Sequence, residues 1–525
     1  MIANDYKGMT VGKLFDLAVA KRADAEFITH KDARLTYGDV DRMANGLAAS
    51  LAELGIKAGD NVALDMPNWP EWVVALVALG RLGAPVIPFN VRYPAQELDY
   101  MLRDADACAI IGCSDFGDKD FKSMFVDLMN GNDKIEHLIV VGDSSGDNVL
   151  DFDELASNTH QPPQTNVGPD DLLSISYTSG TTGNPKGAML THEGLIYGAF
   201  VCCESLELDE SDVILGQMPN CHVFGIMATI LGAAVCGGKI AFLDTYTPAA
   251  AIELIEQEKV TVHHGVPTMF IMELGHLNKT QCDVSSLKSG IMAGAPCPPE
   301  VAKRVVDGLI PNVGIFYGLT EAVPCTYSLP SSGDPTWAEH TGKPFRDLAV
   351  HVVDDDGNDL PQGEVGEVAV TGPCVMKGYY KNPDATAATL LADSFTRTGD
   401  LGKLDENGNL HIVGRKKELI IRAGYNIYPR EVEDCLHEHP AVASAAVVGV
   451  QDDFFGEKSC ACLILNEGQS VTKEEIQAFC TERLADYKVP DMVRVMDAFP
   501  LNPTGKVQKR AIAEQIARDL EEEAR

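Results

Sequence analysis

"SYTSGTTGNPKGAMLTH", Ser176 to His192, holds seven hydroxyl-bearing side chains, three glycines and one lysine in seventeen residues. Its first three residues close the run "LLSISYT", which predicts a strand. A strand that opens into a glycine and hydroxyl loop and returns to a lysine suits a polyphosphate. Glycine lets the backbone come close, amide N–H groups point inward, and the hydroxyls and Lys186 add hydrogen bonds and charge. A nucleoside triphosphate is the expected ligand. The Walker A pattern needs Gly directly before the lysine and Ser or Thr after it, whereas Pro185 precedes Lys186 and Gly187 follows it. A P-loop NTPase is therefore excluded.

Upstream of the loop, "DVDRMANGLAASLAELG" has helical apolar spacing, "NVALDMP" reads as a strand, "WPEWVVALVALGRLG" as a helix and "PVIPFN" as a strand. With "ACAIIGC" and "HLIVVG" this alternation predicts a layered α/β domain. "NTHQPPQTNVGP" is a connector that delivers the chain to the loop. Beyond Glu321, "AVHVVDDDGNDLPQGEVGEVAVTG" alternates apolar and polar residues around Asp-Gly and Gln-Gly turns, which predicts hairpins and a small β-subdomain. From Lys417 a compact unit follows. "YPREVEDCLHEH" puts Pro429 in a first helical turn with Val432 and Leu436 one turn apart, and "TKEEIQAFC" opens with a capping box, Thr472 to Glu475. "AVASAAVVGV" and "SCACLIL" read as strands between them. The expected organisation is an α/β protein with a large N-terminal domain, 1–416, of layered α/β subdomains plus a β-subdomain, and a small α+β C-terminal domain, 417–525.

Composition sets outer bounds. The chain has 525 residues, 45% of them apolar and 23% charged, as in ordinary globular proteins. Acidic residues outnumber basic ones 77 to 42, a formal charge of −35 that opposes nonspecific binding to nucleic acid or an anionic membrane. A phosphate ligand then needs locally gathered cations. The surplus fits either a salty habitat or a solvated surface. Fourteen cysteines are scattered without zinc-ligand spacing, which predicts free thiols in a reducing cytoplasm. The longest uncharged apolar run, "VFGIMATILGAAVCGG", falls short of a membrane span, so no integral membrane association is expected.

Further segments share the loop's character: "YGLTE" from Tyr317, "RTGD" from Arg397, "GRKKELIIRAGYNI" from Gly414 and "PLNPTGKVQKR" from Pro500. Together with "YTSGTTGNPKGAMLTH" they resemble, in kind and in order, the motifs of the adenylate-forming (ANL) superfamily. That superfamily comprises AMP-forming acyl-CoA synthetases, peptide-synthetase adenylation domains and beetle luciferases. The resemblance spans nearly the whole chain and implies a mobile C-terminal lid domain. It also implies the chemistry: a carboxylate attacks the α-phosphorus of ATP to give an acyl-adenylate and pyrophosphate, and a thiol or amine then displaces AMP.

The resemblance assigns roles. Thr178, Ser179, Gly180, Thr181, Thr182, Gly183 and Lys186 would grip the β- and γ-phosphates, and Glu321 would hold magnesium, a hard cation suited to oxygen ligands. Thr320 would contact the α-phosphate, Tyr317 beside Gly318 would stack on adenine, and Gly294 and Ala295 would lie along the nucleotide and acyl carboxylate. Asp400 would bind the ribose hydroxyls, with Arg415 as a second ribose contact. Lys506 is the expected catalytic cation between acyl carboxylate and α-phosphate, with Lys417 as hinge and Gly424 beside the pantetheine tunnel of coenzyme A.

His222, Val223, Phe224, Val266 and Met269 would line the acyl pocket, with His222 as its gate. Their apolar character points to a fatty or aryl acid. An amino-acid substrate would need a carboxylate near "CHVFG", and none is there. The primary expectation is an AMP-forming acyl-CoA synthetase using ATP, Mg2+ and coenzyme A. Loading of a carrier-protein thiol, luciferase-like oxidation and a non-catalytic ATP sensor remain open. Partner expectations are a small carboxylic acid, a homodimer, and a lysine acetyltransferase and deacetylase acting on Lys506.

Overall fold

The computed structural model describes residues 5–178, 185–391, 395–452, 454–501 and 507–523. Ser179, Gly180, Thr181, Thr182 and Gly183 of the loop, and Lys506, lie outside the described residues.

Local chemistry starts the elements. Thr36 accepts from the Asp39 N–H, and Asp39 returns a bond to the Thr36 N–H, a capping box that opens helix Tyr37–Glu53. The buried face of this helix packs on helix Pro70–Leu82, which begins with proline and stops at Gly83 in the left-handed region. The second helix is apolar nearly all round, and it is buried nearly all round. These helices cover a sheet whose order is Lys186–Thr191, Leu172–Thr178, Val86–Pro88, Val62–Asp65, Ala109–Cys113, His137–Val141, Val149–Asp151. It is parallel except at the edge, where Leu172–Thr178 and Lys186–Thr191 form an antiparallel hairpin across the phosphate loop.

A second sheet runs Lys343–Pro344, Ala322–Ser328, Asn312–Leu319, Ser289–Met292, Val262–Gly265, Val213–Gly216, Lys239–Phe242, Glu26–His30, Ala33–Thr36. Its centre is parallel and its margins are antiparallel. The apolar run that was too short for a membrane lies inside this domain as a buried π-helix, Gly225–Leu231, continuing into Gly232–Cys236. At Gly225 a Cβ would stand 2.2 Å from the Pro219 carbonyl oxygen, so only glycine fits. No described helix is long and apolar enough to cross a membrane. All fourteen cysteines are free thiols.

The expected β-subdomain is an antiparallel sheet, Ala349–Val353, Gly366–Thr371, Thr396–Leu404, Leu410–Arg415. One turn later, strand Ile420–Arg422 enters the C-terminal sheet, where strand Val442–Asp452 pairs with Gly456–Leu465 over their length. Alternation divides this sheet's faces. Val447 and Leu463 pack with Val432, Leu436 and Ile476, while Val448, Cys460 and Cys462 pack against Ile512 and Ile516 of helix Lys509–Glu523. The capping box from Thr472 to Glu475 is formed. The molecule is thus a large N-terminal α/β body with a smaller α+β C-terminal one.

Candidate active site

In a parallel sheet the crevice beyond the strands' carboxyl ends is where ligands collect. Strands Val213–Gly216, Val262–Gly265, Ser289–Met292 and Asn312–Leu319 run parallel and deliver, in turn, Gln217 to Phe224, Val266 to Met269, Gly294 with Ala295, and Thr320 with Glu321. The expected acyl and nucleotide residues therefore share one edge. Gly294 is left-handed, φ 80°, and a Cβ on it would lie 3.3 Å from Val266, so the two segments touch. Leu319 pairs with Ala322, which makes Thr320 and Glu321 the two-residue tip of a hairpin and projects both. Gly318 lies just before this tip, on a strand packed against Val323 and Pro324.

The phosphate hairpin is closed by Thr178 opposite Lys186, with the Thr178 hydroxyl 3.4 Å from the Lys186 carbonyl. The next residue, Gly187, accepts from the Tyr380 N–H at 2.8 Å. This seats "YY" beside the lysine, and the Lys186 ammonium lies 5.2 Å from the Tyr379 ring centre. The Tyr379 hydroxyl in turn donates to Glu321 at 2.6 Å. Burial, then the Glu321 charge, push the Tyr379 phenol well above its ordinary range, so it stays a donor. Lys186, Tyr379 and Glu321 form one continuous unit. Tyr379 carries no motif signal that a single sequence reveals.

A second unit stands on the β-subdomain. Asp400 and Arg415 are register partners on adjacent strands, and Arg415 Nε lies 3.3 Å from Asp400 Oδ1. The Tyr317 hydroxyl donates to Asp400 Oδ2 at 2.7 Å. Burial first, and Asp400 second, hold the Tyr317 phenol protonated. Asp400 is 6% exposed, and each of its oxygens has a partner in this unit.

Around the expected acyl pocket, His222 Nδ1 accepts from the Phe224 N–H at 3.2 Å. Val223 and Phe224 are buried, and Phe224 packs on the His264 ring. Polar groups that sequence reading missed stand behind this wall. Gln217 Nε2 lies 3.9 Å from Met269 Sδ, 3.1 Å from His263 Nδ1 and 3.0 Å from the His264 carbonyl. His263 Nε2 meets Glu273 at 2.7 Å, and Tyr246 donates to the other Glu273 oxygen at 3.2 Å. Burial, and then His263, push His264 down to about 3, so it is neutral. "HHG" was legible only as part of a pocket-lining segment, because the carboxylate that orients His263 lies on the next helix.

Gly424 follows Ala423 at the tip of hairpin Ile420–Arg422 and Tyr425–Ile427, with φ 85° and 50° respectively, the geometry of a type I′ turn. Among the described residues, nothing stands within 4 Å of where a Gly424 side chain would begin. At the expected hinge, Lys416 binds Asp355 at 2.7 Å and Glu367 at 3.1 Å, both in the β-subdomain. Arg430, in the C-terminal unit, reaches back to the Cys297 carbonyl beside Ala295 at 3.4 Å.

A strand-end crevice bordered by the Thr178–Lys186 hairpin, with a cation–tyrosine–carboxylate unit and a buried aspartate on the β-subdomain sheet, is the arrangement of an adenylate-forming ligase. The chain belongs to the AMP-binding enzyme family: residues 15–380 match the model of the AMP-binding enzymes and residues 431–506 that of their C-terminal domain. It is 34% identical to the mitochondrial medium-chain acyl-CoA ligase ACSF2 of Danio rerio over 92% of this chain and 83% of that protein. It is also 34% identical to a feruloyl-CoA synthase of Amycolatopsis, over 92% and 94%. Among solved structures, ATP-bound MatB of Rhodopseudomonas palustris superposes with a TM-score of 0.87 at 29% identity, covering 97% of this chain and 99% of that one. The amide bond synthetase McbA of Marinactinospora thermotolerans gives 0.86 at 26% identity, over 96% and 99%. AMP-forming ligase chemistry, and with it enzymatic activity, follows from this membership.

Proposed function

We propose that this protein is an AMP-forming acyl-CoA synthetase for a medium- or longer-chain fatty acid or an aryl acid. The observation that carries the reading is the shared crevice, in which the Lys186–Tyr379–Glu321 and Tyr317–Asp400–Arg415 units flank one hairpin tip, Thr320 and Glu321. In this reading ATP lies between the units, its phosphates at Lys186 and its ribose at Asp400. A carboxylate oxygen attacks the α-phosphorus, and the bond to pyrophosphate breaks with its electron pair leaving on oxygen. A thiolate then attacks the acyl carbon and AMP departs. Both steps gather negative charge, so positioning and fixed cations supply most of the catalysis.

Among the described residues no cluster of three or more His, Cys, Asp or Glu is placed to hold a metal. One carboxylate plus nucleotide phosphates is the usual Mg2+ arrangement, and Glu321 at the hairpin tip fits it. Bound there, Mg2+ would neutralise phosphate charge. Lys506 would bring a cation to the carboxylate and α-phosphate, offsetting repulsion between two anions. The relatives support the acid class, since one is a medium-chain acyl-CoA ligase and another a feruloyl-CoA synthase. McbA, an amide bond synthetase, supports a second reading, in which an amine takes the acyl group; transfer to a carrier-protein thiol is a third.

Acid-dependent exchange of labelled pyrophosphate into ATP, run over straight-chain acids, benzoate and cinnamates, tests the first step. Addition of CoA to the best acid tests the second. Exchange followed by thioester and AMP is the expected result, whereas exchange without CoA-dependent product favours the amine or carrier reading. Lys506→Ala is expected to abolish exchange while sparing thioester formation from supplied acyl-adenylate. Equal loss in both steps would remove Lys506 from adenylation.

A further inference from the structure

Helix Lys509–Glu523 starts three residues beyond Lys506, and its first side chain turns inward. Lys509 Nζ lies 2.7 Å from Glu433 Oε1 and 3.0 Å from Glu418 Oε2, with the lysine side chain 21% exposed. Glu433, on helix Pro429–His437, is 8% exposed and also accepts from the Val447 N–H at 2.7 Å, so it is anchored to edge strand Val442–Asp452 of the C-terminal sheet. Glu418 directly follows Lys417. Three segments therefore meet on one ammonium: the flank of the hinge, helix Pro429–His437 that is tied to the sheet, and the helix that begins at Lys509. On the other side of Lys417, Lys416 is tied to Asp355 and Glu367 of the β-subdomain. Ion pairs thus fasten the chain on both sides of a single residue, to different bodies.

Resting on the acyl-adenylating reading above, we propose that Lys509, with Glu418 and Glu433, is the positioning clamp that makes the hinge flank and the Lys506 segment turn as one piece. A rotation at Lys417 can place a residue eighty-nine positions further on only if the intervening contacts are stiff. A half-buried ammonium held by two carboxylates, one of them buried, resists opening because breaking it leaves the Glu433 charge unpaired in a poorly solvated site. Burial alone would lower the Lys509 ammonium, but the two carboxylates more than offset this and keep it charged. Without it, Glu418 and Glu433 repel each other and the hinge flank separates from the sheet. Lys509 touches no reacting atom in this account; it acts through Lys506.

The test uses full-length Lys509→Met, which keeps the stem and removes the charge, and Lys509→Arg, which restores a cation. In pyrophosphate exchange Lys509→Met is expected to lose at least tenfold in kcat with the KM for ATP within about threefold, because ATP is gripped elsewhere. Thioester formation from supplied acyl-adenylate should fall much less, and Lys509→Arg should recover most of the exchange. Unchanged exchange in Lys509→Met, equal loss in both steps, or no recovery in a folded Lys509→Arg would each overturn the clamp. If the wild-type protein exchanges with no acid, the functional reading fails and the clamp is decided by amide hydrogen exchange. Lys509→Met should then accelerate exchange in Ile420–Arg422 and in the first turn of helix Lys509–Glu523 together; unaltered protection, or loss in only one segment, refutes it.

Discussion

At the scale of single residues, the site is built from side chains that hold other side chains. Glu321 can face a metal and phosphates only if its carboxylate keeps one orientation, and the Tyr379 hydroxyl at 2.6 Å fixes it. The same ring sits beside the Lys186 ammonium, so the residue proposed to grip phosphate and the residue proposed to hold magnesium share one support. Groups that orient a metal ligand characteristically matter by about 10- to 100-fold in metal affinity. Tyr379→Phe keeps the ring and removes only the donor. The Mg2+ concentration for half-maximal pyrophosphate exchange is expected to rise about tenfold, with the thermal midpoint little changed. A magnesium titration superimposable on that of the wild type would show that Tyr379 has no part in holding Glu321.

At the scale of elements, strand ends decide what the sheets can hold. Strand Val62–Asp65 lies inside the first sheet and ends on a carboxyl that is fully buried, with neither oxygen hydrogen-bonded among the described residues. Burial raises Asp65 to about 7, opposed weakly by Lys119. The folded pKa exceeds the unfolded one, so between about pH 4 and pH 7 the folded chain keeps a proton that the unfolded chain releases. Asp65 therefore costs stability as pH rises through that window, by about 1.4 kcal/mol per pH unit. His264 and His192, lowered by burial to about 3 and about 4, have the opposite sign and cost stability as pH falls below about 6.5. Asp65→Asn should remove only the first effect. Relative to its difference from wild type at pH 5, the variant should gain about 3 kcal/mol by pH 8, read from urea midpoints. A difference independent of pH would mean that Asp65 is ionised in the fold. Elements of this kind mark the boundary of what sequence reveals. The strand "LLSISYT", the helix after Thr36 and the capping box at Thr472 are local, so propensity and spacing disclose them. The resemblance named Asp400 and Arg415 as two ribose contacts, while their pairing on adjacent strands came only with the sheet register. The Tyr379–Glu321 bond and the Gln217–His263–Glu273 chain were not legible, because each joins elements whose adjacency is set by sheet order. The π-helix escaped for a related reason: it starts at Gly225, where the Pro219 carbonyl packs close, a contact that periodicity does not register.

At the scale of the whole molecule, two bodies with separate cores are joined through a single turn, Lys416–Glu418. If one crevice is to serve two reactions, the smaller body must present different residues in each, and lid motion of this kind is a common solution. The ion pairs would concentrate such a motion, since Lys416 is held by Asp355 and Glu367 and Glu418 by Lys509, which makes the backbone of Lys417 the proposed place of rotation. Proline at this position would fix φ near −65°, remove the N–H and restrict Lys416 to extended conformations. Lys417→Pro should therefore favour one arrangement of the bodies and lower one half-reaction at least tenfold more than the other. Pyrophosphate exchange measures adenylation, and thioester formation from supplied acyl-adenylate measures transfer. An unequal loss places the pivot at Lys417, whereas unchanged rates in both would mean that the rotation is absorbed elsewhere or that one arrangement serves both reactions.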